Sequence, residues 1–131
     1  MAKIKGINRV VVNISPFNIN ETRPIKAYIT KKRLELLREI DDLVTNMLKD
    51  SGFYYKIWQC PVVIVPLNVN KKGSEFVVIR PVLSERAMTA KAAILPIEII
   101  KRVSSEIIKF PEVSGVAIDI TSKPPATIEW E

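Results

Sequence analysis

Apolar and polar positions change period several times along this chain, and each change marks an element. Residues 7–14, INRVVVNI, are dense in β-branched residues and predict a strand. The stretch 15–24, SPFNINETRP, carries two prolines and two asparagines and reads as a connection, with IKAYI after it as a candidate short strand. From Thr30 the period becomes helical. Thr30 is a suitable N-cap and Gly52 a stop signal, and Leu36, Leu37, Ile40, Leu43, Val44, Met47 and Leu48 fall on one stripe between them. Lys31, Lys32 and Arg33 crowd the start of that helix, where the peptide dipole disfavours cations. A small solvent-screened penalty is the expectation, and a nearby anion or acidic partner the alternative.

Two apolar runs follow, CPVVIVPL (60–67) and EFVVIRPV (75–82), joined by NVNKKGS, and they predict a β-hairpin. Pro61, Pro66 and Pro81 cannot donate to a ladder, so they belong at strand ends, edges or bulges. SERAMTAKAAIL (84–95) is a connection or a short helix. Pro96 suits a first helical position, and Ile97, Ile100, Val103, Ile107 and Phe110 then share a face until Pro111 ends the helix. In the last strand Val116, Ile118 and Ile120 alternate with Ala117, Asp119 and Thr121, predicting one buried face. A small sheet with two helices packed on one face buries this pattern, which makes the fold class α+β, a two-layer sandwich.

Composition narrows the chemistry. At 131 residues with 47% hydrophobic residues, the chain is one domain with a sizeable core. No apolar run approaches the roughly 18 residues that span a bilayer, and the first residues lack the apolar block of a signal peptide. One cysteine, Cys60, forms no internal disulfide and points to a reducing cytoplasm. With no histidine, catalytic triads that need one are excluded, and a zinc site within the chain is not expected. There is no glycine-rich phosphate loop, no GxxG clamp and no RNA-binding aromatic stripe. Cys60 reads as a small hydrophobe, and Asp41 and Asp42 as part of a solvated helix face.

The net charge of +6 is concentrated. Residues 1–33 carry Lys3, Lys5, Arg9, Arg23, Lys26, Lys31, Lys32 and Arg33 against Glu21 alone, and the remainder is nearly balanced. A basic nucleic-acid-binding module using Lys3, Lys5, Arg9 and Lys31–Arg33 is therefore one functional reading. A solvated charged segment is the plainer one.

The tail SKPPATIEWE (122–131) fits neither, because a fraying terminus seldom ends on a tryptophan. DITSKPPATIEWE (119–131) resembles the C-terminal end of the GMP synthases, glutamine-hydrolysing ligases that aminate XMP to GMP with ATP. VVIRPVLSERAMTAKAAILP (77–96), KRVSSEI, YYKIWQCPVVIVPL (54–67) and ITKKRLELLREIDDLV resemble further blocks of that family, so the resemblance covers residues 26–131. It departs at Arg86, where the family usually has Asp, and PFNINET (16–22) lacks the glycines of the family's linker. Residues 1–25 form a basic strand and connection outside the match.

The resemblance implies the C-terminal dimerisation domain, a small α+β module. Its implied partners are a second copy of itself and the ATP pyrophosphatase domain or subunit, with a glutamine amidotransferase reached indirectly. Neither a membrane nor a nucleic acid is among them. It implies Gln59, Lys123 and Glu129 as XMP-binding positions, and no catalytic residue or metal in this domain. No cofactor binds here alone, while ATP and Mg²⁺ serve the complete enzyme. Met1 and the extra N-terminal strand lead us to expect a separately encoded subunit, ahead of a non-catalytic paralogue or an excised domain. Pro124 and Pro125 favour an extended, stiff arm. The tail is therefore expected to reach towards another domain and to be dispensable for folding.

Overall fold

In the computed structural model, residues 4–84, 89–124 and 126–130 are described. Lys3, Arg86, Pro125 and the AM of the AMTA stretch lie outside them. The main sheet has four strands in the order β1-β8-β5-β3, formed by β1 (Val11–Ser15), β3 (Val62–Val65), β5 (Glu75–Ile79) and β8 (Val113–Asp119). β3 and β5 are antiparallel from Val62↔Ile79 to Val65↔Phe76, the pairing expected of the two apolar runs. β5 and β8 are parallel. Parallel neighbours need a crossover, and α2 (Ile97–Ile107) lies in the connection between them. β1 closes the other edge, antiparallel to β8. Two short pairs lie beside the main sheet, β2 (Thr22–Pro24) with β4 (Leu67–Val69) and β6 (Val82–Leu83) with β7 (Lys91–Ala92), and a single 3-10 turn spans Tyr54–Lys56.

Helix α1 (Lys31–Asp50) begins where its sequence says it should. The Thr30 hydroxyl accepts from the Arg33 amide at 3.2 Å, and Gly52 turns left-handed at φ +76° after the last turn. Leu36, Ile40, Val44 and Leu48 are buried against Ile99, Val103 and Ile107 of α2 and against Val77, Ile79 and Val116 of the sheet. Each fully buried aliphatic side chain contributes about 1.5–3 kcal/mol. This is the α+β sandwich, with both helices in one apolar layer. The cations at the start of α1 divide. Lys31 and Lys32 are exposed, whereas Arg33 makes a bidentate pair with buried Glu75 (2.6 and 3.0 Å) and donates to the Tyr28 carbonyl at 3.0 Å. That hydrogen bond to Glu75 raises the Arg33 pKa. An acidic partner does compensate one cation, and it comes from the chain itself.

Several local expectations fail for tertiary reasons. IKAYI (25–29) forms no strand, while Thr22–Pro24, expected to be irregular, pairs with Leu67–Val69. The link between the hairpin strands is thus more than a turn. Asn70 (φ 51°) and Lys71 (φ 62°) make the tight reversal, and the Asn70 side chain ties down residues 18–21 through the Asn18 carbonyl and the Asn20 and Glu21 amides. In the 84–95 stretch, read as a connection or a short helix, Lys91–Ala92 pairs with Val82–Leu83, and residues 85–88 lie outside the described residues. In α2 the buried positions are Ile99, Val103, Ser104 and Ile107; Ile97 is exposed, and Pro96 precedes the helix as its N-cap. Strand β8 is buried along its whole length, on both faces. The face turned away from the helices carries Phe76, Val78 and Ala117, covered by Val69 and Trp130. Gly115 permits this packing, because a Cβ there would lie 2.6 Å from the Phe76 ring and from the Ser15 carbonyl oxygen. Among the described residues no helix is long and apolar enough to cross a membrane.

Candidate functional site

The tail is not an outstretched arm. The Lys123–Pro124 peptide is cis, and Ala126 and Ile128 are buried against the domain that carries them. The reason lies in a charge pair that apolar patterning obscures. β5 and β8 run parallel with Ile79 beside Ile118, so the next residues on each strand, Arg80 and Asp119, come together. Both are fully buried, with the Arg80 Nη1 at 2.9 Å from Asp119 Oδ1. Burial lowers the Arg80 pKa, and the Asp119 charge opposes that shift.

The rest of the Arg80 fork is spent on backbone beyond β8. Nη1 donates to the Thr121 carbonyl, Nη2 to Thr127 and Nε to Ile128, each at 2.9 Å. Asp119 accepts from the Thr121 amide at 2.7 Å and from the Trp130 indole N–H at 2.6 Å. Arg9 adds a second guanidinium. It donates to Asp119 at 3.2 Å, to the Thr127 hydroxyl at 3.2 Å and to the Glu129 carbonyl, and it lies 5.8 Å from the Trp130 ring. Two guanidiniums, those of Arg80 and Arg9, therefore hold the successive carbonyls of Thr127, Ile128 and Glu129. Arg9, Arg80, Asp119 and Trp130 were missed in the sequence as a functional group. The available signal was one unlike charge at the end of each of two apolar strands.

This fixation sets one wall of an open cleft of about 600 Å³. Glu129 lines it together with Gln59, Cys60, Trp58, Tyr54 and Tyr55. Gln59 is placed by two backbone bonds to β6, the Trp58 amide to the Val82 carbonyl and the Val82 amide to the Gln59 carbonyl, both 2.9 Å. Tyr54 and Tyr55 meet edge to face at 5.2 Å. Burial, and then the charge of Asp41, push the Cys60 thiol up to about 12, which disfavours its reactive thiolate form. Of the three expected site residues the cleft unites Gln59 and Glu129. Lys123 is not among its lining residues; it is half-buried and pairs through its backbone with Ala90, at 2.8 and 3.2 Å.

An aromatic wall beside an amide and an exposed carboxylate can take a flat heterocycle and accept from its N–H groups. The fold is a small α+β domain whose own clasped tail brings Glu129 to the edge of an open cleft. The family model described as GMP synthase C terminal domain matches residues 46–130. A probable glutamine-hydrolyzing GMP synthase of Leptospira interrogans is 38% identical over 130 residues, covering 95% of this chain. Glutamine-hydrolyzing GMP synthases of Mycobacterium tuberculosis and Streptomyces coelicolor are 45% and 43% identical over 111 residues, covering 79%. The chain belongs to the GMP synthase C-terminal domain family. It spans 21% of the length of each of these relatives.

Proposed function

We propose that this chain acts as the C-terminal part of a GMP synthase, contributing to the binding of XMP and to the pairing of subunits. The observation that carries the reading is the meeting of Gln59 and Glu129, seventy positions apart, in one aromatic-walled cleft. Gln59 would donate to and accept from the purine, and Glu129 would accept from base N–H or ribose hydroxyl groups. Lys123, on the base of the tail, would meet the phosphate of a nucleotide held mainly by another domain. ATP, its Mg²⁺ and the ammonia from glutamine would be handled by that other domain and by an amidotransferase, in the cytoplasm. Subunit pairing would use the outer strand β1, which leaves Val11 and Val12 exposed. Of the hairpin's two Val/Ile-rich runs, β5 is wholly buried, while half-buried β3 forms the opposite edge of the sheet and is the second candidate surface.

Reconstitution tests this. The purified chain should release no pyrophosphate from ATP and XMP, and GMP should form when a chain carrying the ATP pyrophosphatase is added. Light scattering should give about twice 14.8 kDa. Lys123→Ala should weaken XMP binding by the assembly by about 1.5–3 kcal/mol, the range for a hydrogen bond to a charged group. Reconstituted turnover that ignores Gln59, Lys123 and Glu129 substitutions would refute the binding role, and a monomer at all concentrations the pairing. The nucleic-acid reading loses two of its cations, since Arg9 and Arg33 are committed to Asp119 and Glu75.

A further inference from the structure

We propose that Arg9 and Asp119, backed by Arg80, are positioning residues that act through the tail to hold the Glu129 carboxylate in the cleft. This rests on the reading of the cleft as part of an XMP site. A buried ion pair is weak evidence for stability, because apolar residues of similar volume join two strands as well or better. The bonds made beyond the pair are what distinguish this one. Arg80 spends its remaining donors on Thr121, Thr127 and Ile128, and Asp119 accepts from Thr121 and Trp130. Arg9, from the other end of the chain, reaches Thr127 and the carbonyl of Glu129 itself. The apolar anchors of this segment are Ala126, Ile128 and half-buried Trp130. They fix where the tail lies but not its rotation, which the carbonyl bonds define.

An undocked tail would present Glu129 only part of the time, and ligand affinity falls by the fraction of time it is in place. The N-terminal segment, which the resemblance left without a role, thereby becomes part of the site. Arg9 lies outside the strands and is the least buried of the three charged side chains, its own being 10% exposed.

The test compares Arg9→Lys, Glu129→Gln and the double variant in the assembled synthase, with XMP as the titrant. A lysine keeps the charge, but its single nitrogen cannot reproduce bonds that leave Arg9 from two separated atoms, Nη1 to Asp119 and Nη2 to Thr127 and Glu129. Arg9→Lys should weaken XMP binding about tenfold when Glu129 is present and less than about twofold in the Glu129→Gln background, the coupling of groups that act through one another. In the isolated chain the Trp130 indole N–H, assigned by its loss in Trp130→Phe, should exchange faster in Arg9→Lys, with the melting temperature within a few degrees of wild type. Equal weakening in both backgrounds would mark Arg9 as merely structural and overturn the proposal, as would unchanged indole exchange. If Glu129→Gln weakens XMP binding and Arg9→Lys does not, the clasp has no positioning role. If Glu129→Gln itself has no effect, the reading of the cleft fails and takes the proposal with it.

Discussion

The two faces of the central sheet are held by different physics. On the helix side, Leu36, Ile40, Val44 and Leu48 of α1 meet Ile99, Val103 and Ile107 of α2 over Val77, Ile79 and Val116. No single contact decides anything there, because burial is non-directional and shared over many side chains. On the tail side, beside the smaller apolar cluster of Phe76, Val78, Ala117 and Val69, Arg80, Asp119 and Arg9 make a few bonds with fixed donors and acceptors. The first arrangement makes a fold that tolerates substitution. The second sets the position of a short segment, and with it one wall of the cleft. Trimming a methyl should therefore be mild on the helix side, and removing a buried charged partner severe on the tail side.

The sharpest way to break that contrast is Arg80→Leu. It leaves Asp119 buried with one guanidinium fewer and takes the donors from Thr121, Thr127 and Ile128. We expect a loss of about 3–5 kcal/mol, the range for removing one partner of a buried ion pair, read from the denaturant midpoint. Ile40→Val, at a fully buried position of the helix layer, should cost only about 0.5–1.5 kcal/mol. Similar losses in both would erase the distinction.

The smallest effect belongs to Asp41. Burial, and then repulsion from Asp42, raise its pKa, so the folded state holds this proton more tightly than the unfolded chain. Its stability contribution is complete below the ordinary carboxylate pKa of about 4 and is lost as pH rises through the folded value. Asp41→Asn should therefore raise the melting temperature slightly at pH 7 and leave it unchanged near pH 3. A loss at pH 7 would mean that this carboxylate, like Asp119, carries a structural bond.

The helix layer was legible in the sequence and the tail side was not. A stripe of Leu and Ile at helical spacing, capped by Thr30 and stopped at Gly52, admits one interpretation. So do two Val/Ile runs separated by an Asn-Lys-Gly turn. The signals that failed were those whose meaning depends on a neighbour. Asp119 alternates with Ile118 and Ile120 as a solvent-facing residue would, and only the parallel register with β5 brings Arg80 to it. Asn70 reads as a turn residue, yet its side chain also organises residues 18–21. The tail's residue types suggested contact with something beyond their own strand. The prolines suggest a stiff outward arm, whereas the residues after them are pinned inward by a guanidinium 47 and 48 positions away. Gln59 and Glu129 were named from resemblance, and the fold gives them a shared cleft. Arg9, assigned to the charged first quarter, turned out to be an internal ligand of the tail.

This reverses one expectation about the tail. A segment whose carbonyls are held by Arg80, and whose Ile128 and Ala126 are buried, is no passive appendage, so its removal should destabilise the domain. The Glu129 side chain is different, since it is exposed and only its backbone carbonyl is bound. The separation of fold from site is therefore tested most directly by Glu129→Gln in the assembled synthase, with XMP affinity and melting temperature measured on the same sample. XMP binding should weaken by about 1.5–3 kcal/mol, as for a lost hydrogen bond to a charged group, with an unchanged melting temperature. Undiminished XMP affinity, or a fall in melting temperature that accounts for the loss, would contradict it.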